Sequence, residues 1–479
     1  MLNIKSVIQQ LSEEEFKGIA EKLKSGKADK FYTLLNYYRT NNIPDDVIIQ
    51  KLDVTSNAFY VLKSRLFEKI QEHLLDKQVG PKTDILRKLV TIPSLLFETQ
   101  PDISIAILKK LEKDLLENDM PYELTTVYSA LKKLHLHSDK YYEYTQLYNK
   151  HVAYTLSLDK AEDLVADFII NLGNYYGSRD EMLLEVFTLI KKEMSNLSRL
   201  YESHHLQVFK HIVDASTAIF LPLEDTLIND DPIEDILDSA NKIISQYPKD
   251  SKYQYMVNVI DYLYFEYYNN LGLHKQADQY FGLLNVRMPS FLYYTHFCVS
   301  SKFLISKVER YLRLNIEDQL VEENEKSFEK HNSDKQDVPN YVNYVIYVAA
   351  SKYYADKAAD ASKLLSNLLN DISFKNHVHF EIEIKLFLAL TYLFCDKYDL
   401  SWTLVRNTTR KIRDINKDMS YDNAVVFASM LQTQNSQKGD IKGKLLQLRN
   451  KFELLNNGPK RMLSFLKMDD PFIEHLANA

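Results

Sequence analysis

A chain of 479 residues, 45% hydrophobic and 26% charged, is too long for one compact core and has the make-up of a folded protein of two to four domains or one extended repeat. With 10 Gly and 12 Pro it lacks the punctuation of β-sandwiches, barrels and glycine-rich phosphate loops, which leaves long helices joined by short polar turns. A formal net charge of −7 argues against phosphate-backbone binding by the whole chain, and two cysteines, Cys298 and Cys395, are too few for a secreted disulfide framework.

The N-terminal run MLNIKSVIQQLSEEEF lacks the apolar core of a signal peptide, and no apolar run nears the ~18 residues of a membrane span. The expected location is therefore cytoplasmic, with both thiols acting as small buried hydrophobes. Ser12 followed by Glu15 has the form of a capping box. Pro44-Asp45-Asp46 opens a short helix, VIIQKLD, and Val54-Thr55-Ser56-Asn57 leads into a longer one, AFYVLKSRLFEKIQEHLL. Leu52, Val54, Phe59 and Leu62 are apolar at offsets that resemble a helix-turn-helix, including the type in the promoter-recognition region of sigma factors. That resemblance implies a second helix in the major groove, with Asn57, Tyr60, Lys63 and Arg65 as DNA contacts. Charge opposes it: residues 1–75 hold 11 Lys/Arg against 10 Asp/Glu, and DNA binders show a basic face. Asp53 also stands where the turn customarily has glycine. A helical cap on a repeat array has the same outline, so both readings stand for residues 1–76.

Amphipathic stripes follow one another along the chain. In residues 102–118, Ile107, Leu108, Leu111, Leu115 and Leu116 fall at helical spacing with Lys and Glu opposite. Similar stripes occur near 123–136, 161–176, 182–194, 206–219, 233–246, 341–354, 358–370, 380–394 and 399–414. Their rhythm predicts antiparallel hairpins, and no unbroken heptads indicate a coiled coil. Asp231-Pro232-Ile233-Glu234 reads as a cap, a first-turn proline and a carboxylate, and Asp470-Pro471 opens the last helix in the same manner. The acidic cluster Asp225, Asp230, Asp231, Glu234 and Asp235 lacks the glycine and spacing of a calcium loop, so capping is the preferred account.

The clearest repeat is residues 258–289, with Tyr268, Gly272, Ala277, Phe281 and Pro289. A large residue packs on its neighbour, Gly272 eases a turn, and Ala277 is small where two helices cross. Phe281 fills the groove a turn later, and Pro289 is expected to end the second helix. Leu388-Ala389, Tyr392, Asp396, Ser401 and Val405 repeat these offsets. Val348-Ala349, Asp356, Ala361 and Leu365 do so with Lys352 at the aromatic position. Leu172-Gly173 with Tyr176 is a partial match whose second helix fails at Glu185. These residues resemble the tetratricopeptide (TPR) pattern over about a quarter of the chain, with a spacing of about 40 residues against the usual ~34. The resemblance implies an all-α, extended α-solenoid of antiparallel hairpins, whose first helices line a groove for a protein or peptide partner. Carried over by position, the groove residues are Tyr262, Glu266, Asn269, Asn270, Asn343, Ile346 and Tyr353. Asn269-Asn270 equally suits a polar helix end.

The resulting partition is 1–76 as an N-terminal module and 80–315 as the first part of the repeats. The charged run 316–340 follows as linker or surface helix, and 341–479 forms the second part and cap, with a break near 434–442. No phosphate loop, dinucleotide fingerprint or nucleophile elbow is present. The histidines (His135 and His137, His204, His205 and His211, His377 and His379) do not form HExxH, and His377 and His379 point about 200° apart on a helix. The reading is non-catalytic, with no cofactor and no metal: a scaffold or adaptor for a partner protein. The alternative is a transcription regulator that touches nucleic acid through residues 1–76 alone.

Overall fold

The computed structural model describes the chain except residues 1–3, 12, 27, 41–43, 78–81, 223–230, 249, 294–295, 329–333, 416–420, 434–439, 459 and 479. Among the described residues there are 24 α-helices and no strand, so the chain is all-α. None of those helices is long and apolar enough to cross a membrane. Ser12 of the capping box, Asp225 and Asp230 of the acidic cluster, and most of the 434–442 break lie outside the described residues.

The chain divides into two compact units, Met1–Leu156 and Ser157–Ala479. Unit 1 contains α1 (Ile4–Gln10), α2 (Glu13–Ser25), α3 (Asp29–Thr40), α4 (Asp45–Leu52) and α5 (Ser56–Lys77). It continues with α6 (Lys82–Val90), α7 (Ile92–Phe97), α8 (Pro101–Glu117), α9 (Pro121–Leu134) and the first half of α10 (Lys140–Ser178). Helices α1–α5 enclose their own core of Ile8, Leu34, Leu35, Ile48, Leu66 and Ile70. Arg39 closes it: Nη1 donates to the carbonyls of Ile8, Gln9 and Leu11 at 3.1, 3.0 and 2.7 Å. Those are the acceptors that the end of α1 leaves unpaired. A second core, with Leu108, Leu111, Leu115, Val127 and Leu131, joins α8 to α9.

Unit 2 begins in the second half of α10 and continues with α11 (Met182–Leu200), α12 (His204–Phe220), α13 (Ile233–Gln246), α14 (Ser251–Asn270) and α15 (His274–Tyr293). Next come α16 (Lys302–Leu314), α17 (Gln319–Phe328), α18 (Val338–Tyr354), α19 (Ala358–Asp371) and α20 (Val378–Leu393). The last are α21 (Tyr398–Asp414), α22 (Asp422–Gln432), α23 (Ile441–Leu455) and α24 (Asp470–Asn478). Three hairpins, α14–α15, α18–α19 and α20–α21, share one turn. Gly272, Asp356 and Asp396 adopt φ of 71°, 57° and 57°. The next N–H reaches back five residues in each case: Leu273 to Tyr268, Lys357 to Lys352 and Lys397 to Tyr392, all 2.9 Å. This is the Schellman closure, which needs a left-handed residue. Ala277, Ala361 and Ser401 are buried at the helix crossings, and the Ser401 hydroxyl donates to the Ala389 carbonyl at 2.8 Å.

Three sequence expectations change. Pro289 does not end α15, which runs to Tyr293. Helix α13 starts at Ile233 with Pro232 at the N-cap and no side-chain cap, one residue later than the Asp231 cap implies. The last helix is capped by Asp469, whose carboxylate accepts the Phe472 N–H at 3.0 Å, and not by Asp470. The charged run 316–340 includes α17, which buries Leu320 and Asn324 on one face.

Candidate functional site

Between α23 and α24 lies a non-helical segment, 461–469, that packs across α16, α18 and α20. Side chains of those helices hold its main chain. Glu383 on α20 accepts the Leu463 N–H at 2.6 Å. The Tyr354 hydroxyl on α18 donates to the Phe465 carbonyl and accepts the Lys467 N–H, both at 2.9 Å. Lys467 bonds Asn315 and Glu317 at 2.7 and 2.9 Å, Arg461 pairs with Glu309 on α16 at 3.4 Å, and the Phe465 and Phe387 rings meet at 5.0 Å.

Two cavities flank this segment. The first, about 150 Å³, is lined by Tyr176, Arg179, Lys302, Glu309, Asn343, Ile346, His379, Glu383, Arg461 and Phe465, among others. The second, about 270 Å³, is lined by Tyr353, Phe394, Lys467, Asp469 and His475, among others. Glycines on α10 allow neighbouring helices to approach it closely. A Cβ on Gly173 would stand 2.9 Å from Pro339 at the start of α18, and one on Gly177 would stand 2.9 Å from Phe380 on α20.

Burial sets the electrostatics of the first cavity. It raises the Glu383 carboxyl to about 7, partly offset by the Leu463 N–H and by Arg179. It holds His379 well below the usual imidazole range, so that ring is neutral. Glu266 on α14 is fully buried and its pKa is raised by desolvation, although it meets Lys302 at 3.2 Å and accepts the Ser306 hydroxyl at 2.7 Å. Lys302 also sits over the Tyr176 and Phe220 rings.

The groove residues carried over from the TPR pattern scatter. Asn343 and Ile346 line the first cavity, Glu266 stands behind it through Lys302, and Tyr353 lines the second. Tyr262 is core: it is 1% exposed, with its ring between Phe220 and Phe291. Asn270 donates from Nδ2 to the Ile219 carbonyl at 3.2 Å, and neither it nor Asn269 lines these cavities. The sequence reading missed Tyr176, Arg179, Lys302, Glu309, Glu383 and Arg461. One signal was available: inside FEIEIKLFLAL, Glu383 has Phe380, Leu386 and Phe387 as its neighbours one helical turn away, which sets its carboxylate on an apolar face.

In unit 1, Asp53 takes φ 49° between α4 and α5, the conformation that glycine customarily supplies. Asn57, Tyr60 and Arg65 are exposed on α5. Lys63 is committed internally, paired with Asp45 at 2.8 Å beneath the Tyr38 and Phe59 rings, while Tyr38 donates to the same carboxylate. Histidines also find local partners: His205 meets Asp250 at 3.0 Å, and His377 meets Asn174 at 3.3 Å. Cys298 is buried, its thiol pushed up to about 12 by desolvation. No protein-family model, curated protein or solved structure matches the chain.

Proposed function

We propose that the chain is a non-catalytic, cytoplasmic scaffold, a TPR-like solenoid that binds a segment of a partner protein on the face formed by α16, α18 and α20. One observation carries this reading. Segment 461–469 already lies on that face, with its main-chain N–H and C=O groups bonded to the side chains of Glu383 and Tyr354. Main-chain capture by side chains is how a helical surface holds a peptide of little fixed sequence. The three Schellman-closed hairpins support the repeat architecture, because a recurrent turn at a recurrent position is what stacked helical pairs need.

The test is a random-peptide library selected on the full chain, with affinities measured by fluorescence anisotropy. Peptides that lose at least tenfold on Asn343→Ala and Tyr354→Phe support the face. Peptides that bind both variants as they bind the parent would move the partner site elsewhere.

A transcription regulator is the second reading, favoured by the left-handed Asp53 between α4 and α5. It requires DNA binding that weakens with salt and with Arg65→Ala. Lys63 is a poorer reporter, since its ammonium is held by Asp45.

A further inference from the structure

The 150 Å³ cavity of unit 2 contains more positive charge than the fold uses. Lys302 is matched by Glu266 and Arg461 by Glu309, at 3.2 and 3.4 Å. Arg179 has no carboxylate within ion-pair distance among the described residues; its guanidinium lies over the Tyr175 and Tyr176 rings, and its Nε is buried without a hydrogen-bond partner. The Tyr176 hydroxyl is likewise buried and unpartnered, on a side chain 7% exposed. Buried donors of this kind are costly when left dry, so their convergence on one cavity calls for an acceptor. Backbone strain marks the same place. Outside Asp and Asn, which tolerate the left-handed region, the described non-glycine residues with positive φ are Arg179 at 56° and Leu463 at 54°. Arg179 lines the cavity, and Leu463 donates its N–H to Glu383, which lines it too.

We propose that this cavity binds a carboxylate, held by the Arg179 guanidinium and the Tyr176 hydroxyl with Arg461 and Lys302 at its rim. With Glu383 protonated, charge balance selects a monoanion: Arg179 is then the one lining cation without an ion-pair partner among the described residues, and a dianion would exceed it. The planar fork of arginine suits a carboxylate. A volume of 150 Å³ is about five times the ~30 Å³ share of one water, which admits the acid group and a small substituent. A free organic acid and the carboxylate terminus of a longer chain present the same group. The site shares Lys302, Asn343 and Glu383 with the peptide face, and Arg179 and Tyr176, which belong to α10 and its end, set it apart from that face.

Glu383 makes the site pH-dependent. Arg179, Glu309 on α16, Arg461 and the Leu463 N–H of segment 461–469, His379 on its own helix and the Tyr421 hydroxyl surround it. Once ionised, Glu383 competes with the ligand for Arg179. With its carboxyl near 7, the competent fraction falls about tenfold between pH 6 and pH 8.

The experiment is saturation-transfer NMR on the full chain with sodium acetate at constant ionic strength, at pH 6 and pH 8. Saturable binding at pH 6 is expected, about tenfold weaker at pH 8, with the pH effect removed by Glu383→Gln. Arg179→Gln should weaken binding at least tenfold and Tyr176→Phe several-fold. The Tyr176 change removes a hydroxyl that the fold leaves unbonded, so it decides the matter if the Arg179 variant does not fold. Absence of saturable acetate binding, binding unaltered in Tyr176→Phe, or a preference for inorganic phosphate would overturn the proposal. N-acetylglycylglycine binding more tightly than both acetate and its own C-terminal amide assigns the site to a chain terminus. Equal binding of acetate and the dipeptide acid assigns it to free acids.

Discussion

Unit 1 and unit 2 are both helical, yet their interiors differ in kind. Among the described residues, Ser104 is the buried polar side chain of unit 1, whereas unit 2 buries Glu266, Lys307, His379, Glu383, Asn343, Asp214 and many hydroxyls. A dry charge costs several kcal/mol unless it is paired and hydrogen-bonded, so an interior that holds several carries a burden that apolar packing would avoid. Unit 1 is built as packing needs it. The interior of unit 2 carries groups that packing does not ask for, and three of them, His379, Glu383 and Asn343, line the cavity at Arg179.

The largest effect should come from stranding a buried charge. Lys307 has no exposed side-chain surface, and its ammonium meets Glu323 at 2.5 Å and Asn285 at 2.9 Å. Glu323→Ala leaves that ammonium without a carboxylate and should cost about 3–5 kcal/mol by urea denaturation. The counterpart in unit 1, Ser104→Ala, removes a hydroxyl that donates to the Leu95 carbonyl at 2.6 Å and should cost about 1 kcal/mol. Similar losses in the two variants would break the contrast between the interiors.

The pH dependence of the two units should have opposite signs. Glu383 is raised to about 7, above the ordinary carboxyl of a glutamate. Its folded form binds a proton that the unfolded chain has released, so its contribution is greatest below the ordinary value and is lost as pH rises through about 7. Asp45 in unit 1 is the reverse case. Burial pushes it up, but the bonds from Lys63 and Tyr38 outweigh that and bring it below the usual range. Its contribution is present at neutral pH and is lost as pH falls through its folded value. Glu383→Gln should therefore stabilise the chain at pH 8 by about 2 kcal/mol relative to pH 5, since each tenfold change in a proton-binding equilibrium is worth ~1.4 kcal/mol. A flat difference between pH 5 and pH 8 would show that the carboxyl is not raised.

Helix positions were legible because amphipathic spacing is a local property. The stripes at 233–246, 358–370 and 399–414 coincide with α13, α19 and α21 within a residue. The turn at Asp396 was legible too, because its offset from Tyr392 and Ser401 repeats that of Gly272. The candidate cavity was not. Arg179, Lys302, Glu383 and Arg461 come from the end of α10, from α16, from α20 and from a segment near the C-terminus, and no spacing in the sequence relates residues that far apart. Tyr262 and Asn343 show the limit from the other side: both occupy first helices as the repeat implies, but one ring is sealed between Phe220 and Phe291 while the other side chain borders a cavity. A repeat pattern gives the helix face and leaves open what is laid over it.

A smaller effect tests how unit 1 uses its charge. Lys63 is 23% exposed, pairs with Asp45 and covers two rings, so Lys63→Ala should cost about 1 kcal/mol. Arg65→Ala on the exposed face should stay within about 0.5 kcal/mol. The same two variants separate structure from DNA contact, because loss of DNA binding in Arg65→Ala at unchanged stability would restore the regulator reading.

The smallest effect concerns what the units share. Asp53 and Asp119 in unit 1, and Asp356 and Asp396 in unit 2, all end a helix at φ between 45° and 57°. The chain has only 10 Gly, and it places aspartate where glycine would be unstrained. Left-handed backbone costs an ordinary L-residue about 1–2 kcal/mol, less for Asp, and glycine gives part of that back as unfolded-state entropy. Asp53→Gly and Asp396→Gly should thus each stabilise by about 0.5 kcal/mol, equally in the two units. Gly272→Ala, at φ 71° with open space around its Cβ, should destabilise by about 1 kcal/mol through backbone strain alone. Equal turn effects beside unequal interior effects would locate the difference between the units in what they bury. A gain confined to unit 2 would instead mean that its turns also carry strain that unit 1 lacks, and the contrast would then extend to the backbone.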